Sequence, residues 1–191
     1  MAIEDRRERE RAERRRLIIT TARALAEAEG WDAVTTRRLS TEIEYSQPVL
    51  YKHFTGMEQI AEAIATDGFG ELAAVMAGAR ADAAEAGDAL TRIAQAYYDF
   101  ARDNPAVYDA MFTRATTLRF AAEDTPPPLT AAFAELRHGV SRIAGDQDAD
   151  TLTEVLFSAL HGLVTLSRAG RLRPDHDAQR LELLVDQFTG S

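Results

Sequence analysis

The fold is decided by residues 35–54, which read Thr35-Thr36-Arg37-Arg38-Leu39-Ser40-Thr41-Glu42-Ile43-Glu44-Tyr45-Ser46-Gln47-Pro48-Val49-Leu50-Tyr51-Lys52-His53-Phe54. Leu39 and Ile43 are four residues apart, so they share the inward face of a short helix that a threonine can cap. Residues 44–46 then form a turn, and the next helix carries Pro48 in its first turn, where proline is tolerated. Two short helices joined by such a turn are the architecture of a helix-turn-helix.

The second of these helices has side chains suited to reading DNA. Gln47 can pair with adenine N6 and N7, while Pro48 and Val49 can pack on a thymine methyl. The polar ends of the Tyr51, Lys52 and His53 side chains suit contacts with phosphate oxygens. Such contacts fix the position of the protein along the duplex without reading its sequence. Taken singly, each residue is more often an ordinary surface or core residue, so the prediction depends on their order. The predicted DNA-binding residues are Thr35, Thr36, Arg37, Ser46, Gln47, Pro48, Val49, Tyr51, Lys52 and His53.

The same stretch resembles the TetR family of transcriptional regulators. The resemblance covers about residues 14–65, and its most specific part is the ending Leu-Tyr, any residue, His or Tyr, then Phe, which stands here at residues 50–54. It implies a three-helix DNA-binding head joined by a long fourth helix to a helical body. Two positions depart from the family pattern. Glu44 stands in the turn where the family usually has glycine, and Met57 opens the fourth helix where the family commonly has a phosphate-binding lysine.

Upstream of this motif, an apolar stripe at 3-4 spacing predicts a helix from about Arg14 to Glu29, with Gly30 as its C-cap. Residues 1–13 are a charged arm rich in arginine and glutamate. Two interpretations remain open for this arm: a solvated helix start, or a basic segment that touches DNA.

Downstream, the pattern stays helical, and Gly or Pro breaks divide it into about nine helices, including a fourth helix over about residues 57–79. The predicted fold is therefore all-α. We expect a charged arm over 1–13, a helix-turn-helix DNA-binding domain over 14–56 and a helical effector-binding and dimerisation domain over 57–191.

The C-terminal part is similar to the ligand domain of one TetR subgroup, named for a Trp-His-Gly signature, although Leu160 stands where its tryptophan would be. A helical body of this size, with aromatic residues and a histidine in an apolar run, is where a ligand cavity would lie. The same residues could instead be plain core. The predicted pocket residues are Tyr97, Phe100, Tyr108, Met111, Phe112, Phe133, Phe157 and His161.

The last two helices carry more apolar residues than one buried face needs, which predicts a homodimer through a four-helix bundle. The predicted interface residues are Leu156, Leu160, Leu163, Leu181, Leu184, Val185 and Phe188.

Composition excludes several classes of protein. The chain has no cysteine, so disulfides and thiol nucleophiles are excluded, and no catalytic motif or histidine pair at metal-binding spacing is present. The apolar run at 155–167 is too short for a membrane span, which needs about 20 residues. We therefore expect a cytoplasmic protein that is not an enzyme, with no catalytic residue, metal, cofactor or membrane partner.

The net charge of −9 is unevenly spread. Residues 1–53 carry 11 Lys and Arg against 10 Asp and Glu, so the acidic surplus lies in the remainder. The local field near the contact surface matters for DNA, rather than the total. The sequence therefore predicts a repressor that a small apolar ligand releases from a palindromic double-stranded DNA operator. The alternatives are an activator, or a helical small-molecule-binding protein whose head is not ligand-switched.

Overall fold

The computed structural model describes residues 2–83, 86–114, 118–120, 122 and 125–190. Over these ranges the chain forms nine α-helices and no strand, which confirms the all-α prediction. In chain order the helices are α1 (Ala2–Glu29), α2 (Thr36–Glu42), α3 (Gln47–Tyr51), α4 (Met57–Ala81), α5 (Ala86–Asp103), α6 (Pro105–Asp109), α7 (Pro127–Ser141), α8 (Ala149–Arg168) and α9 (Asp177–Thr189). A 3₁₀ turn at Trp31–Ala33 follows α1, and a π-helical turn at Ala110–Arg114 follows α6.

Helix α1 starts well before the apolar stripe that predicts it. From Glu4 to Leu17 the helix has no buried residue, but arginine, glutamate and alanine all have high helix propensity. Pairs at i,i+4, such as Arg6 with Glu10 at 2.9 Å, add a little further support. Gly30 ends the helix at φ 84°, and its N–H donates to the Ala26 carbonyl at 2.9 Å.

One compact unit contains Met1–Gly68 and Asn104–Leu118, so α6 and the turn after it belong with the helix-turn-helix. Helix α4 passes close to this segment, because a Cβ added at Gly68 would collide with Val107 and Met111. Buried apolar side chains from each helix form the core of this unit. They include Ile18, Ala22, Leu25, Leu39, Ile43, Leu50, Phe54, Ile60, Ile64 and Val107.

The other compact unit contains Phe69–Asp103 and Arg119–Ser191. Helix α5 is its centre, since it contacts α7, α8 and α9. Gly139 lets α7 approach α5 closely, because a Cβ there would lie 2.9 Å from Ile93 Cδ1. An ion pair between Arg80 and Glu135, at 2.7 Å, joins the end of α4 to α7. Within the described ranges, no helix combines the length and the apolarity that a membrane crossing requires.

Candidate nucleic-acid interface

Helix α2 is held in place by a cap at one end and by its apolar face. Thr35 is the N-cap residue, and its Oγ1 accepts a hydrogen bond from the Arg38 N–H at 3.1 Å. Leu39 and Ile43 are buried, as their spacing predicts. Arg38 pairs with Glu29 and Glu42 at 3.1 and 2.9 Å, so its charge is engaged within the head.

One residue in the turn between α2 and α3 has a left-handed backbone conformation. Glu44 has φ 56°, the conformation for which the family usually places glycine. The next N–H, from Tyr45, donates to the Ser40 carbonyl at 3.0 Å. Ser46 then starts α3 with an extended backbone, and its side chain makes no capping hydrogen bond.

Helix α3 places its polar residues outward. Leu50 and Phe54 are 2% and 3% exposed, whereas Tyr51 is 53% exposed. The predicted DNA-binding residues that are exposed are Thr35, Arg37, Ser46, Gln47, Pro48, Tyr51 and Lys52, and those that are partly buried are Thr36, Val49 and His53. The outward face of α3 is therefore polar and available to a ligand outside the chain.

A basic cluster surrounds His53. Burial lowers the pKa of its ring below the ordinary value of 6.5, and the positive charges of Arg11, Arg14, Arg15 and Lys52 lower it further. The sequence leaves a DNA contact open for the arm that contains Arg11, but it does not predict that the three arginines lie beside His53, because they are far from α3 in the chain. The signal that could have found them is the helical register of α1.

The segment around Met57 departs from the family pattern. Met57 is the first residue of α4 and is partly buried. The Gln59 side chain accepts a hydrogen bond from the Thr55 N–H at 2.9 Å, which satisfies one backbone donor ahead of the helix. A methionine at this position offers a phosphate no charge.

Four hydrogen bonds join the start of α6, and the residue before it, to α1 and to the 3₁₀ turn that follows α1. The Glu27 carboxylate accepts from the N–H groups of Ala106 and Val107, both at 3.0 Å. The Trp31 indole N–H donates to the Ala106 carbonyl at 2.9 Å, and Arg23 donates to Asn104 Oδ1 at 2.9 Å. These contacts join the start of α6 to the DNA-binding head, and the sequence does not predict them.

The predicted pocket residues fall into two sets. In the unit built around α5, the Phe157 ring lies 6.4 Å from Tyr97 and 6.0 Å from His161. Phe100 and Phe133 lie in the same unit. Tyr108, Met111 and Phe112 lie in the unit that holds the helix-turn-helix, and the Tyr108 and Phe112 rings are 4.7 Å apart.

His161 is the polar group of the first set. Its ring is partly buried, and this burial lowers its pKa below 6.5. The ring is therefore neutral near pH 7, with one nitrogen able to donate and the other able to accept a hydrogen bond. Its Nε2 lies 3.5 Å from Thr165 Oγ1.

A polar cleft of about 350 Å³ lies in the helix-turn-helix unit, and none of its lining residues belongs to the predicted aromatic pocket. Its lining differs from the apolar one that the sequence predicts for a ligand. The lining residues are Arg15, Gln59, Glu62, Ala63, Thr66 and Asp67.

The predicted interface residues differ in exposure. Leu156, Leu160, Leu181 and Val185 are buried within the single chain, while Leu163, Leu184 and Phe188 are partly buried. The exposed large apolar residues of α8 and α9 are Val155, Leu166 and Leu183, at 54%, 42% and 55% exposure. Intrachain packing thus accounts for part of the apolar surplus. The apolar surface that remains lies on Val155 and Leu166, which belong to the apolar run at 155–167, on Leu183, and in part on Leu163, Leu184 and Phe188.

Two family models match the chain. One describes bacterial regulatory proteins of the tetR family and matches residues 18–64. The other describes a tetracyclin repressor-like C-terminal domain and matches residues 90–188. Both describe regulators rather than enzymes, which confirms the prediction that the chain is not an enzyme.

Individual proteins are also similar to the chain, in sequence or in fold. The uncharacterized HTH-type transcriptional regulator YobS of Bacillus subtilis (strain 168) is 27% identical, over 75% of this chain and 87% of that protein. A protein of unknown function from Rhodococcus sp. RHA1 has a similar structure, with a TM-score of 0.78 and 24% identity over 92% of this chain and 93% of that one. RolR in complex with resorcinol has a TM-score of 0.69 and 17% identity, over 94% and 89% of the two chains. These two structures are similar to this chain in fold.

Proposed function

Because the chain belongs to the TetR family of DNA-binding transcriptional regulators, we propose that it is a homodimeric repressor that a small, mainly apolar molecule releases from a palindromic operator. The observation that carries the DNA-reading part is that α3 and the residues directly after it have a buried face, with Leu50 and Phe54, and an exposed polar face. Residues 14–56 form the DNA-binding domain in this proposal, and residues 57–191 bind the effector and dimerise.

The two ends of the exposed face of α3 have different roles in DNA recognition. Gln47 is exposed in the first turn, and the N-terminal residues of a recognition helix contact base edges. Its amide can pair with adenine through two hydrogen bonds. Tyr51 and Lys52 are exposed at the other end of the helix, where they hold phosphates.

The effector site is proposed at the aromatic group of α5 and α8. Tyr97, Phe157 and His161 supply aromatic walls with one group that can form directed hydrogen bonds. Such a lining suits a small aromatic molecule that carries a hydroxyl or carbonyl group. RolR, which has the same fold, binds resorcinol, and that molecule belongs to this chemical class.

Helix α5 continues directly into the segment that is fastened to α1. It ends at Asp103, the next residue Asn104 is bonded to Arg23, and Glu27 holds the start of α6. A ligand that moves α5 therefore biases the position of the head. The switch requires different ligand affinities in the two arrangements, and a difference of about 1–3 kcal/mol is sufficient.

The DNA-binding part is tested by selecting duplexes from a random-sequence library with the full-length protein. We expect enrichment of a palindrome whose half-site centres lie about one helical turn, 34–36 Å, apart. Enrichment of no sequence over the starting library would contradict an operator-reading function.

The ligand part is tested with a thermal-shift screen of small aromatic molecules, resorcinol among them, followed by operator-release measurements. Trp31 is the only tryptophan of the chain, and it contacts Ala106, so its fluorescence reports on the α6 segment. Effective ligands should change this emission and lower operator affinity together. Ligands that raise the melting temperature but leave operator affinity unchanged would favour the alternative, a regulator whose head is not ligand-switched.

A further inference from the structure

We propose that the N-terminal half of α1 is a second DNA-contacting surface, on which Arg7, Arg11, Arg14 and Arg15 bind phosphates outside those held by α3. We call this set the arginine stripe. The proposal rests on the proposed orientation of α3 on DNA, and it names a contact that extends the operator site.

The arginine stripe continues the buried face of α1. Ile18, Ala22 and Leu25 are buried at helical spacing along this face. At 3.6 residues per turn the same face runs back through positions 15, 14, 11 and 7, and all four of these residues are arginines. Arginine therefore takes the place of apolar residues on this face where α1 extends beyond the core of its compact unit.

The stripe converges on the C-terminal end of α3. The Arg15 guanidinium lies 4.6 Å from the centre of the Phe54 ring. The charges of Arg11, Arg14 and Arg15, together with that of Lys52, are close enough to act on the His53 ring. His53 Nδ1 is buried with no hydrogen-bond partner in the part of the chain that the structure describes.

So many positive charges in one place repel each other, and a polyanion relieves that repulsion. The DNA backbone is such a polyanion, and guanidinium groups match phosphate geometry with paired hydrogen bonds. Because α3 already presents Lys52 toward DNA in the proposed orientation, the neighbouring arginines lie next to the same backbone.

Carboxylates on α1 leave much of the stripe available. Glu10 pairs with Arg6 at 2.9 Å and with Arg14 at 3.6 Å, and exposed pairs of this kind are weak. Arg7 and Arg11 are exposed, and Glu10, whose pKa is lowered chiefly by its hydrogen bond with Arg6, feels the charge of Arg7 only as a minor contribution. From Arg15 to Arg7 the helix rises about 12 Å, so the stripe reaches well beyond the end of α3.

The test compares two double variants of the full-length protein that remove equal charge. Arg7→Ala with Arg11→Ala removes part of the stripe, whereas Arg9→Ala with Arg16→Ala removes two arginines from the opposite face of α1. All four side chains are exposed, and alanine favours helix, so both variants should keep the wild-type circular dichroism spectrum and melting temperature.

The measurement is the salt dependence of binding to the selected duplex, followed by fluorescence anisotropy. Each lost phosphate contact reduces the magnitude of the slope of log K against log salt by about 0.9. The stripe variant loses two such contacts in each protomer of the proposed dimer, so its slope should fall in magnitude by about 3.6. The opposite-face variant should change the slope by less than about 0.5, because charges further from DNA are screened.

Equal salt slopes for the two double variants would overturn the proposal that the arginine stripe contacts DNA, because the slope would then depend only on net charge. If wild-type protein binds the duplex and the stripe variant keeps its full slope, the stripe fails while the operator-reading function stands. If wild-type protein binds no duplex, both fail together.

Discussion

Gln47 and Lys52 lie at opposite ends of α3, and both are exposed. Gln47→Ala should weaken binding by about 1–3 kcal/mol at one base pair and relax the preference there, because it removes a bidentate base contact. Lys52→Ala should weaken binding to every duplex alike and reduce the magnitude of the salt slope by about 1 for each protomer of the proposed dimer. Anisotropy titrations against single-base variants of the selected duplex separate the two effects. Identical profiles for the two variants would show that this division of roles is wrong.

Chemical modification gives a second measurement of the proposed contact between Lys52 and DNA, because Lys52 is the only lysine in the sequence. An amine-acetylating reagent therefore modifies the side chain of one residue only, apart from the N-terminus. In the proposed orientation, bound DNA protects Lys52 from acetylation, and peptide mass spectrometry measures the protection. A duplex that the protein does not bind serves as the control.

Glu44 stores strain in the turn between α2 and α3, since its φ is 56°. A side chain in this conformation costs roughly 1–2 kcal/mol, and glycine avoids that cost while losing about 0.5–1 kcal/mol to its greater freedom in the unfolded chain. Glu44→Gly should therefore raise the free energy of unfolding by about 0.5–1 kcal/mol, as measured by urea denaturation. Glu44→Ala removes the same charge but keeps the strain, so it should give no such gain. Equal stabilities for the two variants would show that the loss of the charge, and not the relief of backbone strain, determines the change in stability.

At the scale of helices, Glu27 fixes α6 to α1. Its carboxylate accepts the N–H groups of Ala106 and Val107, which have no partner within their own helix. Glu27→Ala should lower the free energy of unfolding by about 1–3 kcal/mol, because two partly buried donors lose their acceptor. Glu29→Ala, near the end of the same helix, removes only the exposed pair with Arg38 and should change stability by less than about 1 kcal/mol. Equal losses of unfolding free energy in the two variants would show that the bonds from Glu27 to α6 stabilise the fold no more than an exposed ion pair does.

Helices with a regular apolar pattern could be predicted from the sequence, and contacts between distant segments could not. Leu39, Ile43, Leu50 and Phe54 have a spacing that predicts the buried face of the helix-turn-helix, and all four are buried. The N-terminal half of α1 has no such face, so its helix depends on propensity and local ion pairs, which apolar periodicity does not report. The bonds from Glu27 to α6 link residues about eighty positions apart, and such bonds leave no periodic signal in the sequence.

At the scale of the whole molecule, the candidate site is only partly visible in the sequence. The order of residues 45–54 identifies the DNA-reading helix, because the motif lies within one short stretch. Pocket and interface residues depend on how distant helices pack, and a leucine that faces a neighbouring helix looks the same in sequence as one that faces a partner chain. Leu156 and Leu160, predicted at the interface, are 0% exposed within the single chain.

The dimer prediction therefore depends on the apolar residues that intrachain packing leaves open. Val155 and Leu166 are eleven positions apart on α8, three helical turns, so they lie on one face. Between them on that face lie Ala159 and Gly162, and a Cβ added at Gly162 meets nothing within 4 Å. Burying this face against its copy, related by a two-fold axis, removes the exposed apolar surface and gives the symmetry that a palindromic operator needs.

Replacing Val155 and Leu166 with aspartate should consequently convert the protein from a dimer, twice 21.0 kDa, to a 21.0 kDa monomer at micromolar concentration, as measured by light scattering. The fold should persist, because both side chains are already half exposed, and circular dichroism checks this. Operator affinity should fall with the loss of the second half-site contact. Val75→Asp, at a 44% exposed position on α4, introduces a charge outside this face and should leave a dimer. A wild-type monomer, or a double variant that stays dimeric, would exclude this face as the interface.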